Sequence, residues 1–182
     1  MFMPIKTHLT AKDFALISLF SALWAALNLT VAPVGFRLLM LPITHGIVTF
    51  LVLMLAAWST EKFGAASLVG LIGSTIVLLT GGPLPVIGFA FAAPVFDAIL
   101  SINHHKINLK PAQLANVILA TAISAYSAGA INGVLILNQE PVFALTVWAG
   151  WTMLGALIGV AVTFSVIATL EKANVKKIKN TA

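Results

Sequence analysis

The sequence predicts an all-α fold: a polytopic integral membrane protein with six transmembrane helices in one bundle and both termini in the cytoplasm. Composition is the first observation, since 60% of the 182 residues are hydrophobic and 8% are charged, whereas a soluble domain carries about 25% charged residues. The apolar residues form long continuous runs, which favour helices over the alternating pattern of a β-barrel. The third observation is that lysine occurs on alternate connections between these runs.

The lysines mark one side of the predicted bundle. They occur in both tails and in the second and fourth connections: Lys6, Lys12, Lys62, Lys106, Lys110, Lys172, Lys176, Lys177 and Lys179. The intervening connections carry one basic residue, Arg37. Cytoplasmic loops are enriched in Lys and Arg, so this pattern predicts an even number of spans with both ends inside. The net charge of +5 is therefore a topology signal rather than a sign of nucleic-acid binding.

Six apolar stretches approach or exceed the roughly 20 residues that a helix needs to cross a bilayer. Their predicted bounds are 13–32, 41–59, 64–80, 84–101, 112–136 and 142–170, all within one domain, 1–182. We interpret the first as a retained helix, because Pro33 would directly follow the best signal-peptide cleavage point. The turn 80–85 holds two glycines and two prolines, and Pro111 suits the first turn of the fifth helix.

The segment 32–42 is apolar and is interrupted by Pro33 and Pro42, yet it lies away from the lysine side. An outer loop of this composition is expected to lie back over the bundle or in the membrane interface. Two interpretations stay open: a lid over an outward-facing cavity, and a plain re-entrant or interfacial segment.

Small residues recur at steps of four, which places them on one helix face. Ser18, Ala22 and Ala26 form such a stripe on the first span, and Gly155 and Gly159 form another on the sixth. Small faces let helices approach closely. For the later spans we expect packing within the bundle, whereas the stripe on the first span suits either a partner subunit or the bundle itself.

Polar and aromatic residues within the apolar runs predict a binding pocket, because an ionisable group at membrane depth costs at least about 2.5 kcal/mol. The predicted substrate-binding residues are Asn28, Arg37, His45, Asp97, Asn132, Glu140, Trp148 and Trp151. All except Asp97 belong to the outer half of the predicted topology. Aromatic faces with a few directed polar groups suit a small, flat, polar molecule.

Each of these residues also has a structural interpretation. Trp148 and Trp151 suit an aromatic belt at the membrane interface. Glu140 suits a solvated charge favoured by the helix dipole. His45 suits a structural histidine, and Asp97 suits an ion pair with Lys106 or His104 at the cytoplasmic edge.

The stretch 18–26, Ser-Leu-Phe-Ser-Ala-Leu-Trp-Ala-Ala, is similar to the docking helix of the S components of energy-coupling factor (ECF) vitamin transporters. Six short helices, both ends inside and an apolar first outer loop add to this resemblance. Residues 41–47, 63–66, 79–83 and 94–97 resemble the thiamin-precursor (YkoE-like) branch of these S components.

The resemblance implies a protein that binds a vitamin or precursor from outside, with thiamin or hydroxymethylpyrimidine favoured. It implies docking through Ser18, Ala22 and Ala26 onto a transmembrane coupling subunit that carries two ATPase subunits. The chain has no phosphate-binding P-loop, so the ATP would be hydrolysed by those partners. No cofactor or resident metal is implied.

The resemblance also implies roles for the predicted pocket. Trp148 or Trp151 would stack on a pyrimidine or on a thiamin-like cation. Glu140 or Asp97 would supply the counter-charge, and Asp97 takes the place of an acidic residue expected late in the fourth span. The segment 32–42 would close over the bound substrate.

Three other functions are consistent with the sequence. The first is a scaffold or assembly protein without a ligand, which predicts that the outer polar residues tolerate alanine. The second is a metal-uptake subunit or ion pathway that uses His45 with Glu140 or Asp97. The third is a membrane enzyme, which the absence of a paired-acid motif or an activated nucleophile makes the least favoured.

Overall fold

The computed structural model describes residues 9–172 and has six helices joined by short turns. They are α1 (Ala11–Leu39), α2 (Ile43–Thr60), α3 (Ala65–Leu79), α4 (Val86–Leu100, continued by a 3-10 turn over Ser101–Asn103), α5 (Pro111–Ile136) and α6 (Pro141–Lys172). Five of them are long and apolar enough to cross a membrane, and α3 is apolar but has 15 residues. The described part of the chain contains no strand. The all-helical prediction is confirmed.

Helix α1 begins at a capping box and ends later than the sequence predicted. Thr10 and Asp13 exchange hydrogen bonds at its start, which satisfies backbone donors that the first turn leaves free. Its 29 residues continue through Pro33 to Leu39, and Met40 ends the helix in a left-handed conformation. At 1.5 Å per residue the helix is about 43 Å long, more than the hydrocarbon core of a bilayer.

The expectation that the segment 32–42 is a loop is therefore wrong as far as Leu39. Proline removes one backbone hydrogen bond from a helix and strains the preceding turn, but packing against α2 holds the helix on both sides of Pro33. The Thr44 hydroxyl donates to the Ala32 carbonyl at 3.1 Å. Gly35 lies so close to the Thr44 side chain that a Cβ at this position would overlap it.

The six helices form a closed ring in the order α1, α2, α6, α5, α4, α3. α2 is the most buried of the five long helices and α1 the least. In the most apolar 18-residue stretch of each helix, 61% of the residues of α2 and 28% of those of α1 are buried inside the bundle. Phe50 of α2 packs edge-on against Phe96 of α4 at 5.5 Å between ring centroids. Within this ring α2 is therefore the most enclosed of the five long helices and α1 the least.

Consecutive helices run in opposite directions, so the bundle has two distinct ends. The lysine end holds every described lysine, namely Lys12, Lys62, Lys106, Lys110 and Lys172. There Lys62, just after α2, pairs with Asp13 of α1 at 2.5 Å. The opposite end holds Arg37 and the turns 40–42, 80–85 and 137–140.

Helices α2 and α6 run parallel, and glycine brings their backbones together. A Cβ on Gly155 would overlap the carbonyl oxygen of Ile43, and one on Gly159 would lie 2.5 Å from that of Ile47. One turn further, the Thr163 hydroxyl lies 3.5 Å from the Leu51 carbonyl oxygen. Close approach without a Cβ increases van der Waals contact. The expected packing of this stripe within the bundle is confirmed.

Candidate functional site

Three aromatic rings meet at the opposite end, from three helices. Phe36 lies in the last turn of α1, His45 in the first turn of α2 and Trp148 near the start of α6. The Phe36 ring centroid is 6.1 Å from that of His45, edge-on, and 5.9 Å from that of Trp148. Two of the predicted substrate-binding residues, His45 and Trp148, are thus brought together around Phe36.

Phe36 was not singled out from the sequence, although a signal for it exists. It follows Asn28 and Ala32 at steps of four, so the three share the inward face of α1. Its importance depends on α1 remaining helical beyond Pro33. A loop over 32–42 would have removed that relation.

Below the aromatic rings lie two buried oxygens without a protein partner. The Asn28 amide donates to the Trp24 carbonyl at 3.0 Å, but its Oδ1 accepts no hydrogen bond. The hydroxyl of Thr49, one turn deeper than His45 on α2, has no partner either. In contrast, the Thr60 hydroxyl of the same helix donates to the Ala56 carbonyl. Both Asn28 and Thr49 are 0% exposed.

Asn28 and Thr49 lie at the same depth in the bundle. The hydrogen bond from Thr44 to Ala32 fixes the register of the antiparallel pair α1 and α2. From that level Asn28 is four residues deeper, about 6 Å, and Thr49 is five residues deeper, about 7.5 Å. An unsatisfied buried polar group costs about 1–3 kcal/mol. Two at one level therefore need an explanation, which either an ordered water or a polar ligand would provide.

Two π-helical turns lie in α5 and α6 towards the opposite end of the bundle. The sequence did not predict them. They cover Asn132–Ile136 in α5 and Ala144–Trp148 in α6, and they meet where Gly133 packs against Ala144. Such turns often occur at functional sites. Asn132 is 2% exposed, and its Oδ1 accepts from the Gly88 amide at 3.0 Å. Asn132 thus joins α5 to α4 near the opposite end of the bundle.

Glu140 is the N-cap of α6 rather than part of the aromatic group. Its carboxylate oxygens accept from the amides of Val142 at 3.0 Å and Phe143 at 2.8 Å. These hydrogen bonds, from Phe143 and then Val142, hold the pKa of the Glu140 carboxyl below its ordinary value. The side chain is exposed, which agrees with the interpretation of a solvated charge at a helix start.

Arg37 and Trp151 face away from the bundle. Arg37 is exposed in the last turn of α1, and Trp151 is 37% exposed on α6. Trp151 therefore suits the interfacial belt. Neither residue is part of the contacts among Phe36, His45 and Trp148.

Asp97 lies at the lysine end, far from the aromatic rings. Its Oδ2 accepts from the amides of Gly64 and Ser67 and from the Ser67 hydroxyl at 2.8, 3.1 and 2.8 Å. Its Oδ1 lies 2.7 Å from Nε2 of His105. The expected partners were Lys106 or His104, and His105 takes their place. The structure therefore assigns Asp97 to joining α4, the start of α3 and the following loop.

The small-residue stripe of α1 faces away from the bundle. Ser18, Ala22 and Ala26 are all exposed, whereas the neighbouring Ser21 and Ala25 are buried. The stripe therefore does not pack within the bundle, because the bundle packs on the adjacent face of α1. An exposed strip of small side chains leaves room for another helix to approach.

No group of three or more His, Cys, Asp or Glu side chains within residues 9–172 is arranged to hold a metal ion. His45 lies against Phe36, while the carboxylates considered as its partners, Asp97 and Glu140, are engaged elsewhere.

Comparison of the chain with protein-family models, with curated proteins and with solved structures finds no match.

Proposed function

We propose that this chain is the membrane-embedded substrate-binding subunit of an ATP-driven importer of a vitamin or vitamin precursor, of the thiamin or hydroxymethylpyrimidine class. One observation carries the proposal: the buried oxygens of Asn28 and Thr49 lack protein partners, two turns deeper than Phe36 on α1 and one turn deeper than His45 on α2. Rings that stack and polar atoms that direct hydrogen bonds are what a small planar substrate requires.

The proposal includes a topology in the cell membrane. The lysine end faces the cytoplasm with both termini, and the opposite end faces outside. All six helices cross the membrane, including the 15-residue α3, since short spans are accommodated by local thinning of the bilayer. Substrate then reaches the aromatic group from outside.

The last two turns of α1 take the place of the expected lid. They carry Phe36 over the start of α2, and at 1.5 Å per residue they project beyond a hydrocarbon core of about 30 Å. In this proposal a small displacement of these turns opens and closes the site. The hydrogen bond from Thr44 to the Ala32 carbonyl holds the base of these turns against α2.

The exposed stripe of α1 is the proposed docking surface for the coupling subunit. Ser18, Ala22 and Ala26 leave a shallow strip on the least buried of the five long helices. Energy for import comes from two ATPase subunits attached to that partner. Docking of the loaded chain and ATP hydrolysis then reorient it so that the site opens inward.

The test separates transport from binding. We expect Ala22→Leu combined with Ala26→Leu to abolish uptake of labelled substrate in cells that express the partner subunits, while the purified variant binds substrate with unchanged affinity. The reason is that these side chains contact the partner and not the site. Ala161→Leu, at another exposed alanine on α6, is the matched control and should leave uptake intact.

Two results would count against the proposal. Full uptake by the double variant would show that this stripe of α1 is not the docking surface. Absence of any vitamin or precursor binding by the wild type, with alanine tolerated at Asn28 and Thr49, would favour a scaffold without a ligand.

A further inference from the structure

The α4–α5 loop (101–110) is held against the bundle by side chains at its centre and at its ends. His105 is 1% exposed, and its Nε2 lies 2.7 Å from Oδ1 of Asp97. The Asn103 side chain donates to the Ala112 carbonyl at 3.2 Å, which ties the start of the loop to the first turn of α5. The loop therefore presents a defined surface at the lysine end.

The backbone of this loop has an unusual conformation at two consecutive residues. His104 and His105 have positive φ angles of 51° and 56°. Such angles are costly for residues other than glycine and persist where surrounding contacts hold them. Here the His105 amide donates to the Leu100 carbonyl at 3.1 Å. In this conformation His105 and Ile107 are buried, while Lys106 between them is exposed.

The side chains that the loop exposes are cationic and apolar. Lys106 and Lys110 are both exposed. Ile102 is 69% exposed and Leu109 is 67% exposed, although both are large and apolar. The sequence has no Asp or Glu from residue 98 to residue 139. One short loop thus combines two lysines with two apolar side chains and carries no acidic residue.

The other described lysines have acidic neighbours. Lys62 pairs with Asp13, and Lys12 directly precedes that aspartate in the sequence. Lys172 directly follows Glu171. Among the described residues, the positive charge of the lysine end is therefore least compensated at the α4–α5 loop.

We propose that the α4–α5 loop binds an anionic phospholipid in the leaflet at the lysine end. Lys106 and Lys110 attract the phosphate of the headgroup, and Ile102 and Leu109 enter the acyl-chain region beside it. Two lysines alone would suit any phosphate compound. The exposed apolar side chains favour a partner that also offers hydrocarbon. The proposed function does not depend on this lipid.

Native mass spectrometry of the full-length protein in detergent tests this binding, with phosphatidylglycerol and phosphatidylcholine of identical acyl chains as probes. A lysine near an anionic lipid surface contributes about 5-fold in affinity, so we expect the wild type to bind the first phosphatidylglycerol at least about 10-fold tighter. Lys106→Gln combined with Lys110→Gln should reduce this preference to about 2-fold or less. Lys12→Gln combined with Lys172→Gln, the matched control, removes the same charge elsewhere and should keep the preference.

Two further measurements separate a lipid from a free anion. Ile102→Ser combined with Leu109→Ser keeps both lysines, and it should weaken phosphatidylglycerol binding by about 5-fold or more because the apolar contacts are lost. Glycerol phosphate, which has the phosphate without the acyl chains, should not displace the lipid at millimolar concentration. Gel filtration and circular dichroism check that each variant is folded.

Three results would overturn the proposal. Equal affinity of the wild type for the two lipids would show that the loop does not select an anionic headgroup. An equal loss in the control variant would show that the charge of the whole lysine end attracts lipid. Displacement by glycerol phosphate, with unchanged binding by the serine variant, would assign the loop to a soluble phosphate compound instead.

Discussion

Asp97 accepts hydrogen bonds from two backbone amides at the start of α3, and Glu140 accepts two at the start of α6. The first turn of a helix has amides without partners inside the helix, and carboxylates are favoured there. In an apolar chain with few polar groups these amides compete effectively for each carboxylate. Buried polar atoms that lack such a partner, such as Asn28 Oδ1 and the Thr49 hydroxyl, are the stronger candidates for ligand binding.

Removal of Asp97 should affect stability and not substrate binding. Asp97→Ala leaves the amides of Gly64 and Ser67 and the ring of His105 without their acceptor, so we expect a loss of about 3 kcal/mol or more. Thermal unfolding in detergent measures this loss, and ligand affinity is measured on the folded fraction. Glu171→Ala, an exposed carboxylate at the same end, is the control. If the variant kept its stability but lost its affinity for the ligand, Asp97 would be a binding residue and not a structural one.

The cap of α6 should make stability depend on pH. Since the pKa of Glu140 is lowered in the folded state from its ordinary value of 4.5, the contribution of its carboxylate is fully present above that ordinary value. It is lost as the pH falls through the lower folded value. We expect the difference in melting temperature between wild type and Glu140→Gln to shrink as the pH falls below about 4. A difference that stays constant over this range would contradict the capping role.

Helices α2 and α6 make the closest backbone contact of the bundle. Gly155 and Gly159 pack against the backbone of α2, so the two helices cannot shift apart without losing their closest contact. We expect Gly155→Ala to destabilise the protein by about 2 kcal/mol or more, because the added Cβ overlaps the Ile43 carbonyl.

The same helix offers a control for this substitution. A Cβ at Gly150 meets nothing within 4 Å, so Gly150→Ala should be neutral or stabilising by up to about 1 kcal/mol. Both variants are compared by thermal unfolding in one detergent. Equal effects of the two would show that backbone approach at Gly155 does not hold the bundle together.

The helices could be predicted from the sequence because their signals are local. Apolar runs and the turn 80–85 define most boundaries within a few residues. The end of α1 could not be predicted, since the turn around Pro33 is held by Thr44, which lies 12 residues from its partner Ala32. Similarly, the contact of His105 rather than His104 with Asp97 depends on the path of a loop in which both histidines are left-handed, which the sequence does not show.

Only some residues of the candidate site could be singled out from the sequence, because local signals do not show which helices meet. Periodicity identified the stripe of Ser18, Ala22 and Ala26, but only the packing of α1 on its neighbours shows that this stripe is outward. His45 and Trp148 were predicted as polar and aromatic residues of the outer half, and their contact through Phe36 depends on three helices meeting. Thr49 gives no signal in the sequence, because most buried threonines bond their own helix backbone.

The topology of the bundle is directly testable because the chain contains no cysteine. We expect Asn138→Cys, at the opposite end, to react with a membrane-impermeant maleimide added outside intact cells. Lys110→Cys, at the lysine end, should react only after the membrane is permeabilised. The reverse pattern would show that the lysine end faces outside. Labelling of both variants in intact cells would show that the proposed topology has one span too many.

We propose that this bundle binds a small vitamin or precursor between the aromatic group and the buried oxygens of Asn28 and Thr49. The most direct test is thermal unfolding of the purified wild type and Asn28→Ala, each with thiamin, hydroxymethylpyrimidine, other water-soluble vitamins, nickel and cobalt. At about 100 times its Kd, a ligand of the folded state stabilises it by about 2.7 kcal/mol. We predict such a shift with an organic compound for the wild type and its loss in Asn28→Ala. No shift with any organic compound, or an equal shift in both proteins, would contradict the proposed binding of a vitamin or precursor at Asn28.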